Sequence, residues 1–128
     1  MMNNIYNINI SCTINVTSQD IDDIVCSALE DGICYWASSA RVVGDYLGEY
    51  ASEQISRGGS LIISDAEEDA EYLLTRDNLL KGIRLAIEGR YYADYDWCDG
   101  KTLDTCQIDA SVADVIVQLA LFGEVIYG

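Results

Sequence analysis

Carboxylates are the reactive groups this chain holds in quantity: 22 Asp and Glu against 7 Lys and Arg, with no histidine, for a formal net charge of -15 over 128 residues. The chemistry they could do is limited by what is missing. Without histidine the commonest general base is absent, and neither a Ser-His-Asp nor a Cys-His site can be assembled within one chain. Paired carboxylates of the glycosidase kind remain conceivable. They need a substrate cleft, which a larger domain usually supplies. The expectation is a protein that is not an enzyme.

Metal chemistry fares no better. Asp94-Tyr95-Asp96-Trp97-Cys98-Asp99-Gly100 invites comparison with a calcium loop. An EF-hand starting at Asp94 needs glycine where Asp99 stands and glutamate where Thr105 stands. An Asp-Gly turn in an acidic loop is the simpler reading. Cys98 and Cys106 could join a zinc site only with ligands from elsewhere, so no metal and no cofactor is expected. Gly58-Gly59-Ser60 follows a candidate helix instead of opening one, which makes it a helix stop and not a phosphate cradle. Arg57, Arg76, Arg84 and Arg90 could still converge on a nucleotide, with Trp36 or Trp97 stacking on its base. The plainer alternative is that these arginines neutralise nearby acids.

Two features remain that could bind something. Arg90 to Asp99 (RYYADYDWCD) interleaves acids with Tyr91, Tyr92, Tyr95 and Trp97, and Tyr and Trp dominate binding hot spots. The alternative is that some of these rings fold back over the core. The second feature is the spacing of acids. Carboxylates three or four residues apart on a helix lie about 5–6 Å from each other. DNA phosphates repeat every ~3.4 Å along each strand. Acidic arrays at Asp20/Asp23/Glu30/Asp31 and at Asp65 to Glu71 could therefore imitate nucleic-acid charge. A merely soluble surface is the alternative. The candidate partner-binding residues are Asp65, Glu67, Glu68, Asp69, Glu71, Tyr91, Tyr92, Asp94, Tyr95, Asp96, Trp97 and Asp99. Residues 76–90 run the other way, with Arg76, Lys81, Arg84 and Arg90 against Asp77 and Glu88.

A single α+β domain spanning 1–128 must position these groups. Half the residues are apolar and proline is absent, which suits a compact core with tight turns. Ile5 to Val16 alternates, with Ile8, Ile10, Cys12, Ile14 and Val16 on one face, and predicts a half-buried strand. Thr17 to Asp20 predicts a capped helix carrying Ile21, Ile24, Val25, Ala28 and Leu29 as far as Gly32. Residues 33–43 fit strand or helix equally. Tyr46 to Arg57 predicts a second helix. Ser60 to Ser64 and Tyr72 to Leu74 predict a hairpin with an acidic tip. Thr75 caps a further helix over Arg76 to Glu88. Arg90 to Gln107 reads as a long loop. Ser111 to Asp114 resembles a capping box for a last helix ending at Gly123, and Glu124 to Tyr127 could add an edge strand. The expected architecture is a small antiparallel sheet with three to four helices packed on one side. Five cysteines without a C-x-x-C pair read as reduced thiols, Cys12, Cys26 and Cys34 serving as small core side chains. No signal peptide or membrane span is visible.

Four stretches carry a resemblance: Asp31 to Ala37 (DGICYWA), Tyr50 to Asp65 (YASEQISRGGSLIISD), Leu74 to Gly89 (LTRDNLLKGIRLAIEG) and Ile108 to Gly128 (IDASVADVIVQLALFGEVIYG). Together they resemble an uncharacterised family of small acidic proteins encoded by bacteriophages and integrative elements of Gram-positive bacteria. The resemblance brings no catalytic motif. It implies a genomic setting in which accessory genes often encode inhibitors of host defence. The leading expectation is then a cytoplasmic protein of the infected cell, an anti-CRISPR or anti-restriction protein. It would bind a basic nucleic-acid-binding host protein by nucleic-acid mimicry, without touching nucleic acid or membrane itself. The alternatives are a sponge for a nucleotide immune signal, and a structural or assembly module, including a homodimer joined through a strand edge.

Overall fold

Backbone donors with no partner in their own helix decide where each helix begins. In the computed structural model, which describes residues 3–8, 13–89, 91, 103 and 105–128, the first helix, α1 (Ser18–Ser27), opens on a reciprocal cap. The Thr17 hydroxyl accepts from the Asp20 N–H at 3.1 Å, and the Asp20 carboxylate accepts from the Thr17 N–H at 2.9 Å. This satisfies two donors that the helix geometry would leave open. Ile21, Ile24 and Val25 form its buried stripe. The helix then widens into a π-helical turn, Ala28–Gly32.

The undecided segment 33–43 divides. Residues 33–36 turn, and Ala37–Val42 forms strand β1. It pairs antiparallel with β2 (Leu61–Asp65), which pairs antiparallel with β3 (Glu71–Leu74), giving the order β1-β2-β3. Ile63 stands opposite Ala40 on one side and Tyr72 on the other. Leu61, Ile63 and Asp65 of β2 are buried while Ile62 and Ser64 are half-exposed, the alternation of a sheet with one face on the core.

Thr75 caps α2 (Arg76–Glu88), and Asp109 caps α3 (Ala110–Phe122) by accepting from the Val112 N–H at 2.9 Å. Gly123, with φ +74°, ends α3 in the left-handed conformation that glycine adopts without steric penalty. α2 and α3 cross closely because Gly82 has no side chain. A Cβ there would lie 2.4 Å from the Ile116 carbonyl oxygen and 2.9 Å from the Ala120 Cβ. The buried side of the sheet (Leu61, Ile63, Leu74) joins one core with α1, α2 (Leu79, Ile83, Ala86) and α3 (Ala113, Ile116, Val117). The fold is α+β; the described residues form a three-stranded antiparallel sheet with three α-helices. No helix among the described residues is long and apolar enough to cross a membrane.

Several expectations are corrected. No strand forms at residues 3–8: Ile5 and Ile8 are 88% and 81% exposed. Alternation supplies an apolar face, but a strand also needs a neighbouring edge, and none is paired to this segment. Ile14 and Val16 do pack against the core; residues 9–12, with Ile10 and Cys12, lie outside the described set. The helix expected at Tyr46 to Arg57 is instead a loop ending in a short 3-10 turn, Ala51–Glu53. Gly48 lies inside that stretch, where glycine costs about 1 kcal/mol relative to alanine in a helix. The buried Gln54 amide takes over the polar bonds, accepting from the Leu47 N–H at 3.0 Å and donating to the Asp45 carbonyl at 3.1 Å. The last helix is capped by Asp109, not Ser111, so Asp114 is free for another role. Residues 124–127 form no strand. Cys34 is exposed and Cys26 half-buried; Cys98 lies outside the described residues.

Candidate functional site

Asp65, the last residue of β2, sets the hairpin turn. It is 8% exposed, and one carboxylate oxygen accepts from the N–H groups of Glu67 (2.9 Å) and Glu68 (3.1 Å). This is an Asx-type turn, which a short acidic side chain makes readily. Its other oxygen accepts from the Tyr127 hydroxyl. The Tyr127 hydrogen bond, then the two backbone donors, hold the Asp65 carboxyl below its ordinary pKa. The same bond, with burial second, pushes the Tyr127 phenol up.

Tyr127 is held in turn by the interior. Its ring stacks on the buried Trp36 with centroids 5.0 Å apart and planes 6° from parallel. The Gln118 side-chain oxygen accepts from the N–H groups of Ile126 and Tyr127, both at 2.9 Å. Gln118 also donates to Asp114 at 2.9 Å, and Asp114 accepts from the Trp36 indole at 2.8 Å and the Tyr35 hydroxyl at 2.7 Å. Desolvation first, then the bond to Asp114, pushes the Tyr35 phenol up to about 12. Asp114 is 7% exposed and Gln118 fully buried. A buried carboxylate with three donors is well satisfied. The residues from Val125 to Tyr127 therefore act as a strap tying α3 to the hairpin.

Beyond Asp65 the turn is open. Glu67, Glu68 and Asp69 are exposed, and none makes an ion pair with a described residue. Glu71, on β3, is exposed but paired with Arg41 at 2.9 Å. Under the turn lies an open hollow of about 360 Å³ lined by Ser38, Ser64, Asp65, Glu68, Asp69 and Glu71. Four carboxylates, those of Asp65, Glu68, Asp69 and Glu71, are among its lining residues. Among the described residues no group of three or more potential ligands is placed to hold a metal ion.

The remaining sequence candidates divide sharply. Tyr91 is about half exposed and folds back on the end of α2, its N–H donating to the Ala86 carbonyl at 2.9 Å. Tyr92, Asp94, Tyr95, Asp96, Trp97 and Asp99 lie outside the described residues, as does Arg90. The other arginines do not converge. Arg57 pairs with Glu53 (3.2 Å), Arg84 with Glu88 (3.8 Å), and Arg76 donates to the Ser56 carbonyl (3.4 Å).

Sequence reasoning missed two things. One is the inward role of Asp114 and Gln118, whose signal was a polar pair four residues apart on an otherwise apolar helix. The other is the loop Val43 to Tyr50, where a helix is expected only from Tyr46 onward, which exposes Val43, Tyr46, Leu47 and Tyr50 beside Asp45 and Glu49. Comparison with protein families, curated proteins and solved structures finds no match for this chain.

Proposed function

We propose that this protein is a non-enzymatic inhibitor that docks on a basic, nucleic-acid-handling protein through the tip of its β2–β3 hairpin. Glu67, Glu68 and Asp69 would pair with Lys and Arg side chains that otherwise hold phosphates. The observation that carries this reading is the contrast on one turn. Asp65 is committed to holding the backbone, and Glu67, Glu68 and Asp69 are exposed and without an ion-pair partner among the described residues. A fixed backbone lowers the ordering entropy lost on binding. Like-signed charges on that turn steer a cationic surface towards it. The resemblance to proteins of bacteriophages and integrative elements makes a host defence nuclease, of CRISPR-effector or restriction type, the target class to try first.

The nucleotide-sponge alternative draws no support from the described arginines Arg57, Arg76 and Arg84, which bond to separate partners. Co-purification tests the docking reading. A tagged chain is incubated with a panel of nuclease effectors at low salt. Retention of an effector, lost as salt rises and lost in the triple variant E67Q/E68Q/D69N, is the expected result. If no effector is retained at low salt, or the triple variant retains it equally, the hairpin is not the docking element.

A further inference from the structure

A second surface, sharing no residue with the hairpin, combines an apolar hollow with acids that form no ion pair with a described residue. The π-helical turn after α1 carries Leu29 and Glu30, and Cys26 stands one turn earlier. With Tyr50 and Ser52 they enclose a hollow of about 330 Å³. Leu29, Cys26 and Tyr50 supply apolar lining. Glu30 is exposed. The loop leading to Tyr50 adds Tyr46 and Leu47, 60% and 49% exposed, and the exposed acids Asp45 and Glu49. Gln54 pins this loop from beneath through Leu47 and Asp45, so the aromatics stand on a braced segment. None of Glu30, Asp45 and Glu49 is in an ion pair with a described residue, and nearby Arg57 is already paired to Glu53. Burial first, then a hydrogen bond with Glu30 and the charges of Glu30 and Asp23, push the Cys26 thiol up.

Apolar walls alone would suit many occupants, but the charge narrows them. An aliphatic side chain would leave Glu30 unanswered, and an acidic one would be repelled. Arginine matches both demands: its methylene stem covers apolar surface, its guanidinium stacks on an aromatic face, and its fork meets a carboxylate. π-helical turns also recur at functional sites. We propose that this hollow receives an arginine side chain of a basic partner protein, with Leu29 and Tyr50 holding the stem and guanidinium plane and Glu30 answering the charge. The inference rests on the docking reading above only in taking the partner to be basic.

Cys26 makes the test local. Iodoacetamide alkylation of Cys26 and Cys34 is followed by peptide mapping at low salt, with a short arginine peptide or its neutral citrulline counterpart as the probe. At a peptide concentration about twice its Kd, alkylation of Cys26 should slow about threefold. The exposed Cys34 should be unaffected, and citrulline should give no protection. The ratio with and without peptide should return to one in Glu30→Gln and in Tyr50→Ala; both side chains are exposed, so folding is preserved. E67Q/E68Q/D69N should keep the protection. Equal slowing at Cys34, equal protection by citrulline, or protection that survives Tyr50→Ala overturns the assignment. Amide shift mapping with the same two peptides gives the same decision without a thiol. If protection stands while no effector is retained by the protein, the hairpin reading fails alone. If the hairpin variant loses retention but wild type shows no protection, this inference fails alone.

Discussion

Asp20, Asp22 and Asp23 on α1 and Glu67, Glu68 and Asp69 on the hairpin turn are acidic triplets of similar density, and their side chains do different things. Asp20 caps its helix, Asp22 accepts from the Ser56 hydroxyl at 2.5 Å, and Asp23 accepts from Gln19 at 2.8 Å and Thr105 at 3.2 Å. The helix array is stitched to its own chain. The hairpin array makes no such bonds with described residues, because Asp65 alone answers the backbone donors of that turn. Counting acids therefore overstates the charge this protein can offer a partner. What matters is whether a hydroxyl or amide of the same chain stands within reach, and a turn projecting from a sheet keeps its side chains away from such groups.

The comparison can be broken in several ways. The largest effect should come from the most internal carboxylate. Asp114→Ala strands the Trp36, Tyr35 and Gln118 donors and should lower unfolding free energy by about 3 kcal/mol in urea titrations, with Asp114→Asn intermediate. Thr17→Ala removes half of the α1 cap and should lower stability by about 1 kcal/mol, read the same way. Smaller again is an acid-dependent loss through Asp65. Its folded pKa lies below the unfolded one, so the unfolded chain takes up protons more readily. The stability it contributes is present above the ordinary carboxyl range and lost as pH falls through the lowered folded value. Unfolding curves at stepped acid pH should show this slope in wild type and a shallower one in Tyr127→Phe. Tyr35 gives the opposite sign. With its folded pKa pushed up to about 12, its contribution is complete below the ordinary tyrosine range and is lost as pH rises towards that value; Tyr35→Phe should flatten the alkaline limb. The smallest change is expected from E67Q/E68Q/D69N, within about 0.5 kcal/mol. A loss as large as that of Thr17→Ala would show the hairpin acids to be structural after all.

Local signals were legible in this chain. The Thr17 and Thr75 caps, the stripe of α1, the extent of α2, the Gly123 stop and the β2–β3 hairpin follow from short-range chemistry, and the structure has them. The failures share a cause. Ile5 and Ile8 carry strand periodicity, but periodicity does not specify which edge is open. Tyr46 to Arg57 carries helical spacing, and one buried glutamine overrides it by bonding backbone seven and nine residues back. Asp114 reads as part of a cap because it stands three residues after Ser111, the capping-box spacing; only packing reveals that Asp114 bonds to Trp36. In the candidate site, exposure of the hairpin acids was legible from the turn, whereas the withdrawal of Asp65 depends on a tyrosine 62 residues away.

That distance also bears on biosynthesis. The hairpin residues leave the ribosome well before Tyr127 does, and domains begin folding during synthesis. Until Tyr127 follows, the second oxygen of Asp65 lacks its phenol donor, and the ring of Trp36 lacks its stacking partner. The nascent hairpin can pair its strands locally, but its acidic turn acquires its final brace only after the 62 residues from Asp65 to Tyr127 have been added.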